Sequence, residues 1–87
     1  MLIRIHPHTL ERAEERGTTR GEIEEVIQTG TPIPAKGNRQ AREKVFDFRR
    51  QRQNAYYDQK KVQVVSVMEE EVAITVTVYV FYGQWEV

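Results

Sequence analysis

His8, Arg12 and Arg16 stand four residues apart in the stretch His8-Thr-Leu-Glu-Arg12-Ala-Glu-Glu-Arg16-Gly17. On a helix that spacing puts one imidazole and two guanidiniums on a single ridge. An imidazole exchanges a proton at cellular pH, which makes His8 the evident general acid or base of the chain. Guanidiniums grip phosphate or carboxylate through paired donors. The row therefore suits an anionic substrate or partner. An ordinary solvated helix face would place Glu four residues before Lys or Arg. Here Glu11 precedes Glu15 and Arg12 precedes Arg16, like-charge pairings that cost an isolated helix about 0.2–0.5 kcal/mol each. Glu15 remains a partner for Arg12 at the i, i+3 spacing, so a charged-face reading stays open. His6, in the extended position before Pro7, reads as structural.

Two helices must carry this row. Pro7 suits a first helical position and Gly17 the left-handed position past the end, which predicts a helix over 7–16 with Thr9, Leu10 and Ala13 buried. Thr19 and Glu22 have capping-box spacing, and Ile23, Val26 and Ile27 form one apolar face, which predicts a second helix over 20–29 ended by Gly30 and Pro32. From Lys36 onward the period becomes two. Strands are expected at 43–49, 55–58, 61–68 and 72–82, with Glu69-Glu70-Glu71 at a hairpin tip. In the last strand Val72, Ile74, Val76, Val78 and Val80 are the expected core face. Ala73, Thr75, Thr77, Tyr79 and Phe81 are the expected open face. The whole reads as one α+β domain over 1–87: a helical hairpin at 7–29 packed on a three- to four-stranded antiparallel sheet at 36–87.

The chain has 87 residues, of which 39% are hydrophobic and 30% charged, a composition of one small globular domain. It has no cysteine, which removes disulfide scaffolds, thiolate metal sites and cysteine nucleophiles. No metal or other cofactor is expected. No apolar run reaches membrane-span length and no signal-like segment follows Met1, so the expected place is the cytoplasm, away from membranes. Thirteen basic residues balance thirteen acidic ones, which argues against a globally basic nucleic-acid binder. The balance is uneven, however. Residues 36–61 hold nine basic against three acidic residues, a net of +6. That segment is either a solvated face or a patch for phosphate.

Other chemistries find less support. A helix-turn-helix reader would have to present Glu22, Glu24 and Glu25 to DNA phosphates. Tyr56, Tyr57, Lys60 and Lys61 are suited either to stacking bases and holding phosphate or to packing a sheet flank. Phe81 and Trp85 cover a sheet edge or make a contact between two copies of the chain, a homodimer. No phosphate loop, dinucleotide fingerprint, metalloprotease motif or serine triad is present.

The opening His8-x3-Arg12-x3-Arg16-Gly17, followed by Thr-Thr-x2-Glu-Ile-Glu-Glu-Val-Ile, resembles the start of the bacterial domain-of-unknown-function family 4258. Tyr57-x3-Lys61-Val and Ile74-Thr-Val-Thr77-Val-Tyr79 resemble its sheet half, so the resemblance covers nearly the whole chain. That family is grouped with the barnase/colicin/RelE-like ribonuclease toxins. The resemblance implies a RelE-like antiparallel sheet with helices on one side. It also implies metal-independent attack of a 2′-hydroxyl on the adjacent phosphate. The implied site is His8 as acid/base, Arg12 and Arg16 on the phosphate, and Lys61 and Tyr79 approaching from the sheet. The implied partners are RNA and an antitoxin-like protein, as for the toxin of a toxin–antitoxin module. The alternative is a non-catalytic module on the same fold that binds protein or nucleic acid.

Overall fold

A computed structural model describes residues 1–85. Its elements are β1 (Leu2–Arg4), α1 (Pro7–Arg16), α2 (Arg20–Thr29), β2 (Thr31–Ile33), β3 (Arg39–Arg52), β4 (Ala55–Glu69) and β5 (Val72–Gly83). The fold is α+β, with both helices N-terminal to the main sheet strands. The helix bounds agree with those expected from the capping residues. The His6 side chain accepts the His8 N–H at 3.1 Å and so caps α1. Thr19 and Glu22 form the reciprocal capping box of α2.

The sheet has five strands in the order β1-β5-β4-β3-β2, more than the three to four expected. β1 joins β5 in parallel, so the sheet is mixed; the other pairings are antiparallel. The two added strands have three residues each, too short to show a period of two. The expected segments at 55–58 and 61–68 are one continuous strand. It pairs with β3 around a turn in which Gln53 and Asn54 have φ of 51° and 69°. At the other hairpin tip Glu70 and Glu71 have φ of 48° and 70°, the left-handed pair that a type I′ turn requires.

β5 overturns one expectation. Ala73, Thr75 and Val78 are buried, whereas Val76 is 38% exposed. The pairing with β4 passes from Val65↔Thr77 to Ser66↔Thr75, leaving Val76 as the extra residue of a bulge. One extra residue moves a period-two pattern to the opposite face. The inward positions are therefore odd-numbered before the bulge and even-numbered after it. The buried Thr75 hydroxyl is doubly partnered: it donates to Thr9 Oγ1 at 3.0 Å and accepts the His6 N–H at 2.9 Å.

The helices cover one face of the sheet. Ile5, Ala13, Ile23, Val26, Ile27, Val62, Val64, Ala73 and Val78 form the core, with Leu10 half-buried against it. Gly30 ends α2 in extended backbone, and a Cβ there would lie 2.8 Å from the Glu43 carbonyl. Only glycine lets the helix end approach β3 so closely.

Candidate anion-binding groove beside the β5 edge

The end of α1 is fastened to three strands at once. A helix C-terminus leaves carbonyls without partners inside the helix. Here Arg52 Nη2 from β3 donates to the Glu15 carbonyl at 2.8 Å, the Tyr82 hydroxyl from β5 donates to the Arg16 carbonyl, and Lys60 Nζ from β4 donates to the Gly17 carbonyl at 2.8 Å. Lys60 also meets Glu22 Oε1 at 2.7 Å, and Thr18 Oγ1 donates to the same carboxylate at 2.9 Å. Gly17 has φ of 89°, and a Cβ there would collide with the Tyr82 hydroxyl. Burial pushes the Tyr82 phenol above its usual value, and the Arg52 charge partly offsets this. The Arg52 guanidinium lies 4.9 Å from the Tyr82 ring centroid.

The end of α2 is held the same way. Arg42 Nη1 donates to the Gly30 carbonyl at 2.7 Å, and Lys44 bridges Thr29 Oγ1 at 2.9 Å and Glu25 at 2.6 Å. Four of the basic residues of 36–61 thus sit at negative helix ends. The +6 segment is in good part a structural clamp rather than one phosphate patch. Of the others, Arg50 lies over the Phe48 ring at 4.8 Å, and Arg49 stands 4.0 Å from Asp47.

With its end fastened in this way, α1 lies against β5, and an open groove of about 280 Å³ runs between them. His8, Thr9, Arg12, Arg16, Val76, Thr77 and Tyr79 line it. Four of the five residues expected at the site meet here: His8, Arg12, Arg16 and Tyr79. Arg16 is anchored, because its Nη1 donates to the Val78 carbonyl and its guanidinium carbon lies 5.6 Å from the Tyr79 ring centroid. Arg12 is exposed and forms no ion pair among the described residues, so the Glu15 pairing left open by the spacing is not made. His8 is exposed, with its ring edge-on to His6 at 5.2 Å. Among the described residues no carboxylate lines the groove. It presents two cations, an imidazole and the hydroxyl-bearing Thr77 and Tyr79 to whatever enters, a donor-rich wall suited to an anionic group.

Lys61 does not join them. β4 turns its even-numbered residues Lys60, Val62 and Val64 into the core, which puts Lys61 on the opposite, open face. There its ammonium lies 4.8 Å from the Trp85 ring. The neighbouring Lys60 is the buried one, at 4% exposure. Tyr57 packs against Tyr82 at 5.6 Å, while Tyr56 is exposed. Val76 and Thr77 were not singled out as site residues from the sequence. The bulge that brings them to the groove follows from pairing with β4, and no local motif marks it.

Comparison of the chain with protein-family models, curated proteins and solved structures returned no match. No helix among the described residues is long and apolar enough to cross a membrane.

Proposed function

We propose that the chain is a metal-independent, ribonuclease-like domain whose groove takes an RNA phosphodiester, the activity of a toxin in a toxin–antitoxin module. The observation that carries this reading is the convergence of His8, Arg12, Arg16 and Tyr79 on one concavity. In that chemistry the His8 imidazole takes the proton of the 2′-hydroxyl. The 2′-oxygen then bonds to phosphorus, and the bond to the 5′-oxygen breaks. The Tyr79 hydroxyl supplies the proton that the leaving oxygen needs, and Arg12 and Arg16 balance the charge gathering on the phosphorane. The resemblance of the His8-x3-Arg12-x3-Arg16-Gly17 start supports the same assignment.

A second reading, a binding module without catalysis, is favoured by one feature. Among the described residues, no side chain holds the His8 ring in a fixed tautomer; its contact is the edge of another exposed imidazole. Incubation of purified protein with labelled RNA, with and without ribosomes, separates the two. Catalysis predicts cleavage reduced by about 10²- to 10⁴-fold in His8→Ala and also reduced in Arg12→Ala. RNA binding that weakens with Arg12→Ala and survives His8→Ala, without cleavage, assigns the binding module. Absence of both RNA binding and cleavage rejects the ribonuclease reading and an RNA-binding module, leaving only a module that binds protein.

A further inference from the structure

The outer edge of β5 is largely unpaired. β1 pairs only with Val72–Ile74, and beyond it no strand among the described residues lies on that side. The Val78 carbonyl accepts from Arg16 across this edge, so it points away from β4. Backbone direction alternates along an antiparallel strand. Val80 and Tyr82 therefore turn their N–H and C=O groups outward as well, and no hydrogen bond among the described residues takes them. β5 contains no charged residue and no proline, the devices by which monomeric sheets usually protect such an edge. The bulge at Val76 and the Arg16 cap guard only its beginning. Val76 and Tyr79, which line the groove, are 38% and 44% exposed, and Phe81, on the face away from the core, is 46% exposed.

We propose that this edge takes an extended segment of a partner protein as an added strand, and that carboxylate and apolar side chains alternate along that segment. The alternation follows from where an added strand would lie. Side chains turned toward the helix layer meet His8 and Arg12 across a groove lined by no carboxylate among the described residues. Side chains turned the other way meet Phe81. A second copy of this chain is the poorer occupant. Two-fold pairing of β5 with itself brings two His8–Arg12–Arg16 ridges to one seam, and β5 has no acidic residue to offset them. The proposal stands on the strand edge and holds whether or not RNA binds.

The probe is a synthetic peptide of four Glu-Val repeats, followed by titration calorimetry and by amide hydrogen exchange. Binding is expected, with the Val80 and Tyr82 amides slowed. Three comparison peptides are expected to bind at least about tenfold more weakly: Lys-Val repeats, a block of Glu followed by a block of Val, and Glu-Val repeats N-methylated at alternate backbone nitrogens. Val80→Pro removes one outward N–H while leaving the β4 ladder intact, and loss of peptide binding is expected. Arg12→Glu is expected to reverse the preference between Glu-Val and Lys-Val, a result that does not depend on Val80→Pro folding. Equal binding of the N-methylated or block peptide, or unprotected Val80 and Tyr82 amides, overturns the proposal. So does sedimentation of the free protein as a dimer with those two amides protected, which gives the edge to a second copy. Peptide binding without RNA binding rejects the ribonuclease reading alone.

Discussion

Lys60 Nζ lies 2.7 Å from the Glu22 carboxylate and 2.8 Å from the Gly17 carbonyl, joining the central strand β4 to both helices at their junction. The ammonium is almost wholly enclosed and the carboxylate is partly so. A pair in that position holds the helical hairpin at a fixed place on the sheet, and with it the groove that α1 forms against β5.

Removing one member of this pair leaves the other without its partner. Lys60→Met is expected to cost about 2–4 kcal/mol. Lys60→Met combined with Glu22→Gln is expected to recover a good part of that loss, since no uncompensated charge then remains while the amide oxygen still accepts from Thr18 and the Thr19 N–H. Urea unfolding of the two variants and the parent checks both expectations. A double variant less stable than Lys60→Met would contradict this account of the pair.

Thr75 tests the bulge. The unshifted alternation puts its hydroxyl in solvent, where Thr75→Val would be neutral. The observed placement makes the hydroxyl a buried partner of Thr9 and of the His6 N–H. Thr75→Val is therefore expected to destabilise by about 1–3 kcal/mol by stranding those groups. Val76→Thr, at the exposed bulge position, is expected to change stability by under about 0.5 kcal/mol. Thermal unfolding of both variants distinguishes the two placements of the strand.

Tyr82 makes stability pH-dependent on the alkaline side. Burial raises its pKa above 10.0 in the folded chain, so the fold favours the neutral phenol. That contribution is complete below the unfolded value and is lost as pH rises through the folded one. Unfolding measured from pH 8 to pH 12 is expected to show a decline beginning at about pH 10. Tyr82→Phe lacks this part of the decline. At neutral pH the same variant loses the hydrogen bond to the Arg16 carbonyl, a cost of about 1 kcal/mol.

The Glu70-Glu71 turn is strained in a way that can be relieved. Both residues hold left-handed backbone, which costs an ordinary side chain of order 1 kcal/mol. Glu70→Asn with Glu71→Gly supplies the residues that a type I′ turn favours. The pair is expected to stabilise the protein by about 1–2 kcal/mol in chemical denaturation.

Arg12 and Lys61 are both exposed or half-exposed cations, yet they lie on different faces of the sheet. Arg12→Ala is expected to weaken RNA binding by about tenfold, in line with the loss of one charge-assisted contact. Lys61→Ala is expected to leave it within twofold. Filter binding at one fixed salt concentration is the measurement, because phosphate contacts are salt-dependent. An equal effect of the two substitutions would move the anion site out of the groove.

Much of the architecture is local chemistry and is legible in the chain. Pro7, Gly17, the Thr19/Glu22 box and Gly30 mark the helix ends, and the spacing of Ile23, Val26 and Ile27 marks a buried face. The ridge of His8, Arg12 and Arg16 follows from helical geometry once α1 is known. These features depend on neighbours within one turn, where side-chain type and backbone preference speak directly.

Tertiary pairing decided the rest. The two three-residue strands exist because β5 and β3 offer them an edge, and nothing within Leu2–Arg4 or Thr31–Ile33 would hold them extended alone. The bulge at Val76 arises from the register with β4, and it reverses which residues face the core in the part of β5 before it, leaving Val78 and Val80 inward as the alternation expects. The family resemblance made Lys61 a site candidate, and the sequence offered Lys60 only as a phosphate-holding or sheet-flank lysine; the fold buries Lys60 under the helix junction and turns Lys61 away. The basic middle segment likewise has a charge that the composition states, but only the folded chain shows that Arg42, Lys44, Arg52 and Lys60 serve the helix ends. Period and capping are properties of a few consecutive residues, whereas the facing, register and partners of a strand are set by residues tens of positions away.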